Sequence, residues 1–232
     1  MKRFWKEVSV AEVDGGWQVT LDGRGMKTQG KRAQIVPNKA LAEMLAAEWS
    51  AQGEEIDPAG FPHRDMADYA IDMIASGADD IAAKLLGYFE TDTLCYRADP
   101  DEPLYKRQQE VWEPIVAGFE ARESVAVERA SGIVHRPHQD ATLAVIRAKL
   151  AKLNPLELAA LFALTSLAAS LIIGLSALED DAEPEALWNA ANLEEDWQIE
   201  LWGEDAEATD RRTRRLADFK RAHAFVRAAR SQ

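Results

Sequence analysis

The sequence predicts an α+β fold: a small antiparallel β-rich N-terminal domain followed by a larger all-helical C-terminal domain. Three observations predict it. Over the first 36 residues apolar and polar side chains alternate between glycine turns, the period of half-buried strands. From Asn38 onward apolar residues recur three and four apart, the period of helices. After the first helix comes GEEIDPAGFP, residues 53–62, turn-rich and the best domain boundary. It separates a hairpin domain ending in a helix (1–60) from a helical domain (61–232).

The elements follow in order. Phe4, Val8 and Val10 share one alternating face, and Trp17, Val19 and Leu21 share another after the turn at Asp14 to Gly16. Asp22-Gly23 makes a second turn, and Met26 to Thr28 and Ala33 to Val36 are expected short strands. Asn38 is placed to cap a helix carrying Leu41, Leu45 and Trp49. His63 to Ser76 and Asp80 to Glu90 read as helices, and TLCYR (Thr93 to Arg97) as an isolated strand or an extended connection. Leu104 to Arg122 is helical in pattern, although Pro114 should kink or break it. Val125 to Val127 and Gly132 to Val134 suit extended chain, and residues 139–152 an amphipathic helix. Asn154, Pro155 and Glu157 resemble a capping box at the start of the next helix. Segments 184–191, 194–202 and 204–229 complete the helical set.

Leu158 to Leu178 carries no charge over 21 residues, long enough to span a bilayer. Its small Ala and Ser residues, and the lack of interfacial aromatic belts or a partner span, favour a helix buried within the domain. No stable membrane insertion is expected.

A net charge of −13 and a pI near 4.8 argue against nucleic acid, whose binding is driven by Lys and Arg. They argue equally against an anionic membrane surface. With Cys95 as sole cysteine, an intramolecular disulfide and a Cys-rich zinc site are excluded. A buried structural thiol is its expected state. His135 and His138 form H-R-P-H, but the proline between them prevents a regular helix face, and no third ligand is evident locally. GRGMKTQGK, Gly23 to Lys31, has the wrong spacing for a phosphate loop and reads as a hairpin rim. No G-x-S-x-G occurs. No cofactor or metal is expected.

The unusual segment is LEEDWQIELWGED, Leu193 to Asp205, with six carboxylates, two indoles and no basic residue. On a helix Leu193, Trp197 and Leu201 share one stripe, and Glu194, Gln198 and Trp202 an adjacent one. Glu195 and Ile199 form another, with Asp196 and Glu200 flanking Trp197. The carboxylates therefore surround the indoles rather than converging on a point, as paired catalytic carboxylates must. Apolar anchors inside a charged rim have the anatomy of a protein-binding patch. The competing view is that Trp197 and Leu201 are core and the acids a solvated face. Charge placement supports part of that view: eleven acids and no base lie between Glu179 and Asp205, and eight Lys or Arg against three acids follow from Glu207, so the two stretches can pair across an α-hairpin.

Five stretches occur in a telling order: RFWK (Arg3 to Lys6), LDGR (Leu21 to Arg24), LAEMLAAEWSAQ (Leu41 to Gln52), TDTLCYRAD (Thr91 to Asp99) and EEDWQIELWG. Together they resemble the ATP12 family of F1-ATPase assembly chaperones, from Arg3 to about Phe225. The resemblance implies no catalysis. It implies binding of the free α subunit of the F1 sector of ATP synthase, which is kept from aggregating before the αβ hexamer forms. It maps the family's acidic helix motif onto Glu194, Glu195, Gln198, Trp202 and Gly203, with Trp197 in place of what is often another aromatic. Glu195 is the first candidate partner-binding residue, with Glu194, Trp197, Gln198, Glu200 and Trp202 around it; Trp49 is expected to be structural. An N-terminus without presequence character points to the cytoplasm, for a bacterial homologue, or to the mitochondrial matrix for a mature eukaryotic form. Two alternatives stay open: a carboxylate-dependent enzyme using the acidic helix around Glu195, and a general protein-interaction module.

Overall fold

The computed structural model describes residues 1–132 and 134–231. The chain divides into two units: one comprises Met1–Ala78, Asn154–Ala160 and Arg221–Gln232, the other Asp79–Leu153 and Leu161–Lys220.

The first unit holds the expected antiparallel sheet. Strands β1 (Val8–Val13), β2 (Gly16–Leu21), β3 (Arg24–Gly25) and β4 (Ile35–Val36) are arranged with β2 paired to the other three. The β1–β2 register runs from Val8 opposite Leu21 to Val13 opposite Gly16. Asp22 and Gly23 both take positive φ (48° and 76°), as a type I′ hairpin turn requires. The Asp22 carboxylate accepts from the Lys6 and Glu7 amides, which hold its pKa below the usual carboxylate range. Gly16 sits where β4 crosses β2: a Cβ there would collide with the Val36 carbonyl, and its φ of +144° disfavours any side chain. The expected strands at 26–28 and 33–36 shrink to β4 and a single Lys27–Ala33 bridge, because the intervening loop bonds to carboxylates instead of to a strand.

Helix α1 (Lys39–Ser50) begins where Asn38 Oδ1 accepts the Leu41 amide at 2.9 Å. Its buried residues Leu41, Leu45 and Trp49 meet Val19, Leu21 and Val36 in the core. Trp49 stacks edge-on with Trp5 (5.1 Å) and tilts against Phe61 (4.6 Å). Its neighbour Glu48 performs a second task. Its two carboxylate oxygens accept the His63 and Arg64 amides at 2.8 and 2.9 Å, at the open amino end of α2 (Pro62–Tyr69). Glu48→Ala leaves those donors without an acceptor and is expected to cost about 2 kcal/mol. Chemical denaturation checks this, and an unchanged midpoint would refute the capping role.

Helix α2 runs through a π-helical turn (Ala70–Ile74) into α3 (Ala75–Glu90). Asp68 accepts from Gln34 Nε2 (2.6 Å) and the Gln29 amide (3.0 Å), and Asp72 from the Gly30 amide (2.7 Å) and Thr28 (2.8 Å). These bonds fix the Gly23 to Lys31 rim against α2, so contacts of the sheet continue past the turn-rich stretch at 53–62.

Among the described residues, the regular structure of the second unit is helical apart from a short parallel pair, β5 (Tyr96–Arg97) and β6 (Ala130–Ser131). Thr93–Cys95, an expected strand or connection, forms a 3-10 turn leading into β5. Helix α4 (Pro103–Glu123) stays continuous through Pro114, so of the expected kink or break, no break occurs. The reason is placement. Trp112, Val116 and Phe119 anchor the buried side of α4, while Pro114 lies on its exposed side, where water can satisfy the carbonyl that loses its N–H partner. Helix α5 (Asp140–Leu150) follows.

The uncharged segment 158–178 is two helices instead of one: α6 (Pro155–Ala168) and α7 (Leu171–Ser176). Ala169 breaks the run with φ +50°, and its carbonyl accepts both the amide (3.3 Å) and the hydroxyl (2.9 Å) of Thr93. Ser170 Oγ caps α7 through the Ile173 amide. Leu161, Leu164 and Leu171 to Leu175 are buried, and no helix among the described residues is long and apolar enough to cross a membrane. Helices α8 (Pro184–Ala191), α9 (Leu193–Trp202) and α10 (Ala206–Arg230) complete the chain. The acidic and basic stretches do pair: Lys220 reaches Glu185 (2.5 Å) and Arg212 reaches Asp196 (2.8 Å).

Candidate functional site

The acidic segment forms α9, held by its first residue and by neighbours on α4. Leu193 is buried, and the Trp112 indole N–H donates to the Ala190 carbonyl at 2.7 Å, fixing the connection from α8. Arg107 grips Glu200 with two bonds, 2.6 and 2.8 Å, and lies 5.7 Å from the centre of the Trp197 ring. The buried Gln108 amide bridges two elements: Nε2 donates to Glu194 (2.8 Å), and Oε1 accepts from the Ala98 amide just beyond β5 (2.9 Å). Helix α9 ends at Gly203, whose φ of +93° suits glycine.

This framework leaves a cleft of about 470 Å³. One wall is α9, through Glu194, Trp197, Gln198, Leu201 and Trp202. The other is β5 and the start of α4, through Tyr96, Arg97, Pro103 and Leu104. Two predicted stripes of α9 thus face one cleft. Its outer end is strongly apolar and uncovered: Leu201 is 57% exposed and Trp202 78% exposed. Exposure of that size at adjacent large residues is uncommon on a protein surface and marks contact sites.

The wall opposite α9 is rigid. Arg97, on β5, is buried and pairs with Glu113 at 2.7 Å. Arg129, just before β6, also binds Glu113 and Glu120. The guanidinium groups draw the Glu113 and Glu120 pKa values down against the opposing effect of burial, and the Glu120 and Glu113 carboxylates raise that of Arg129.

Of the six predicted site residues, Glu194, Trp197, Gln198 and Trp202 line the cleft together. Glu194 is exposed as a residue, but its carboxyl lies against Gln108, and desolvation there raises its pKa. Glu200 belongs to the Arg107 pair instead of the lining, and that pair raises the Arg107 pKa. Glu195 is part-exposed, does not line the cleft, and among the described residues its carboxylate makes no hydrogen bond or ion pair.

Sequence reasoning missed Leu201, Leu104 and Tyr96 as cleft residues, and Arg107 and Gln108 as their supports. One signal was available: the TDTLCYRAD stretch, quoted for its resemblance, supplies Tyr96 and Arg97. Outside the cleft, Cys95 is buried, which pushes its thiol pKa up. His138 sits 3.0 Å from the Phe89 carbonyl and accepts the Glu128 amide, with burial lowering its pKa, whereas His135 bonds the Tyr96 hydroxyl at 2.6 Å. The two histidines of H-R-P-H therefore serve different neighbours.

Comparison with known proteins adds the following. A family model described as "ATP12 chaperone protein" matches residues 2–120. The chain is 28% identical over 224 residues to mitochondrial protein atp12 of Schizosaccharomyces pombe, covering 90% of this chain and 77% of that one. It is 27% identical to mitochondrial ATP12 of Saccharomyces cerevisiae, covering 90% and 78%. A crystal structure of Atp12 from Paracoccus denitrificans superposes with a TM-score of 0.94 at 35% identity, covering 99% of this chain and 98% of that one.

Proposed function

This chain belongs to the ATP12 family of chaperones, and from that premise we propose that it binds the free α subunit of the F1 sector of ATP synthase through the α9 cleft and keeps it from aggregating before the hexamer forms. The observation that carries this is the uncovered pair Leu201 and Trp202 at the mouth of a cleft whose walls are pinned by Arg107, Gln108 and Arg97. An unassembled subunit exposes surface destined for its neighbour, and such surface aggregates. A holding protein needs apolar anchors on a rigid frame, charge to steer the encounter, and no covalent step. The net charge of −13 favours a client surface with basic character. The compartment in this proposal is wherever F1 assembles: bacterial cytoplasm, or the mitochondrial matrix, the fungal relatives being named as mitochondrial.

The test is co-expression with cognate F1 α and β subunits separately, followed by size-exclusion chromatography. A one-to-one complex with α and none with β is expected. No complex with α, from folded protein, would overturn the assignment, and capture of several unrelated unfolded clients would make it a general module. Glu195→Lys is expected to leave the thermal midpoint unchanged, since no partner bond is lost. It should weaken α binding about threefold through charge alone. Loss of folding on this change would make Glu195 structural.

A further inference from the structure

Helix α4 carries a second apolar face that is only partly buried. Trp112, Val116 and Phe119 point into the core, but Val111, Pro114, Ile115 and Gly118 form a stripe at helical spacing on the other side. Opposite them stand Ala186 and Leu187 of α8, and the space between is a groove of about 440 Å³. It lies apart from the α9 cleft: the two share no lining residue. Gly118 lies on its open floor, where a Cβ would meet nothing within 4 Å.

The rim is mostly acidic, with Arg122 as the cation in its lining. Five acids occur in the seven residues from Glu179 to Glu185, with no base. Glu179 is held by Arg122 (3.2 Å) and Glu185 by Lys220. Asp181 and Glu183, both exposed and both lining the groove, have no ion pair or side-chain hydrogen bond among the described residues. An apolar trough beside uncompensated carboxylates matches a segment with apolar residues on one side and Lys or Arg on its flank.

We propose that the α4–α8 groove is a second docking site, which takes a basic amphipathic segment of the client chain. The client's identity rests on the chaperone reading above; the groove's chemistry does not. A basic amphipathic segment of an unassembled subunit is itself prone to stick to other chains, so covering it adds protection the α9 cleft alone does not give. Two separate contacts on one client also raise the overall affinity above that of either.

The experiment uses the full chain and a fluorescein-labelled amphipathic peptide of leucine and lysine, with a leucine–glutamate peptide as control. Gly118→Trp fills the groove from a position with free space, and Gly118→Ala leaves it open. The leucine–lysine peptide should bind the wild type and Gly118→Ala alike, and Gly118→Trp at least about tenfold more weakly. Asp181→Lys with Glu183→Lys should weaken binding and flatten its salt dependence. Equal binding to Gly118→Trp, or equal binding of the leucine–glutamate peptide, would overturn the proposal. So would a wild-type dimer that Gly118→Trp converts to monomer in sedimentation, because a second copy would then occupy the groove. Binding of the F1 α subunit is measured in parallel. If the peptide binds as expected but α does not bind the wild type, the chaperone reading fails and the groove stands. If α binds but neither ligand responds to Gly118→Trp, the groove fails and the reading stands.

Discussion

Replacing Trp202 by alanine is expected to lower the affinity for the F1 α subunit about a hundredfold, roughly 2.7 kcal/mol, while leaving the thermal midpoint in place. The indole is 78% exposed, so its removal opens no cavity and costs little fold stability. Its value lies in the complex: a tryptophan at the mouth of a cleft with pinned walls is the kind of side chain that dominates contact energy. Trp197 lies deeper, near the Arg107 guanidinium. Trp197→Ala should therefore lower both affinity and stability, and the contrast between the two indoles separates contact from support. Isothermal titration with isolated α subunit, together with a melting curve for each variant, reads both quantities. If Trp202→Ala binds as the wild type does, the cleft is not the docking surface.

Asp92→Ala is expected to destabilise the second unit by about 3 kcal/mol at pH 5 and to lower its melting midpoint by about 6–12 °C. The fully buried Asp92 side chain receives the Leu94 amide (3.1 Å) and the Ile172 amide (3.0 Å), joining the turn before β5 to the first turn of α7. Alanine would leave both donors buried and unsatisfied. The same site is sensitive to pH. Burial, opposed by these hydrogen bonds, raises the Asp92 pKa from 3.8 to about 6. The folded state therefore holds this proton more tightly than the unfolded chain. The resulting stability is fully present below about pH 4 and is lost as pH rises through about 6. Relative to Asp92→Asn, which does not titrate, the wild type should lose about 1 kcal/mol between pH 5 and 7. Comparing the two proteins cancels the opposite contributions of Asp22, Glu113 and Glu120, whose pKa values are lowered. A difference that stays flat or grows with pH would show that Asp92 does not carry this proton.

Much of the architecture was legible because its causes are local. Asn38 caps α1 since its side chain reaches an amide three residues on. Asp22-Gly23 turns the hairpin since both residues accept positive φ. The stripes of α9 follow from helical geometry alone. The errors arose where distant residues decide. Pro114 did not break α4, because the neighbours that bury Trp112 and Phe119 anchor the helix on the far side of the proline. The 158–178 run split at Ala169, because Thr93, more than seventy residues earlier, bonds its carbonyl. Nor did the sequence reveal that Glu48, beside an expected structural tryptophan, closes the amino end of α2.

The sequence by itself determined the fold class, the family, and a helix on which indoles and carboxylates alternate, because periodicity and turn chemistry are properties of neighbours along the chain. Only the tertiary structure decided that Glu200 belongs to Arg107, that Glu195 stands outside the cleft, and that Leu201 and Trp202 remain uncovered. Helical spacing places a residue on a face, but burial and pairing depend on what another part of the chain brings to that face. Here Arg107 and Gln108 come from nearly ninety residues away and select which stripes of α9 form the cleft wall.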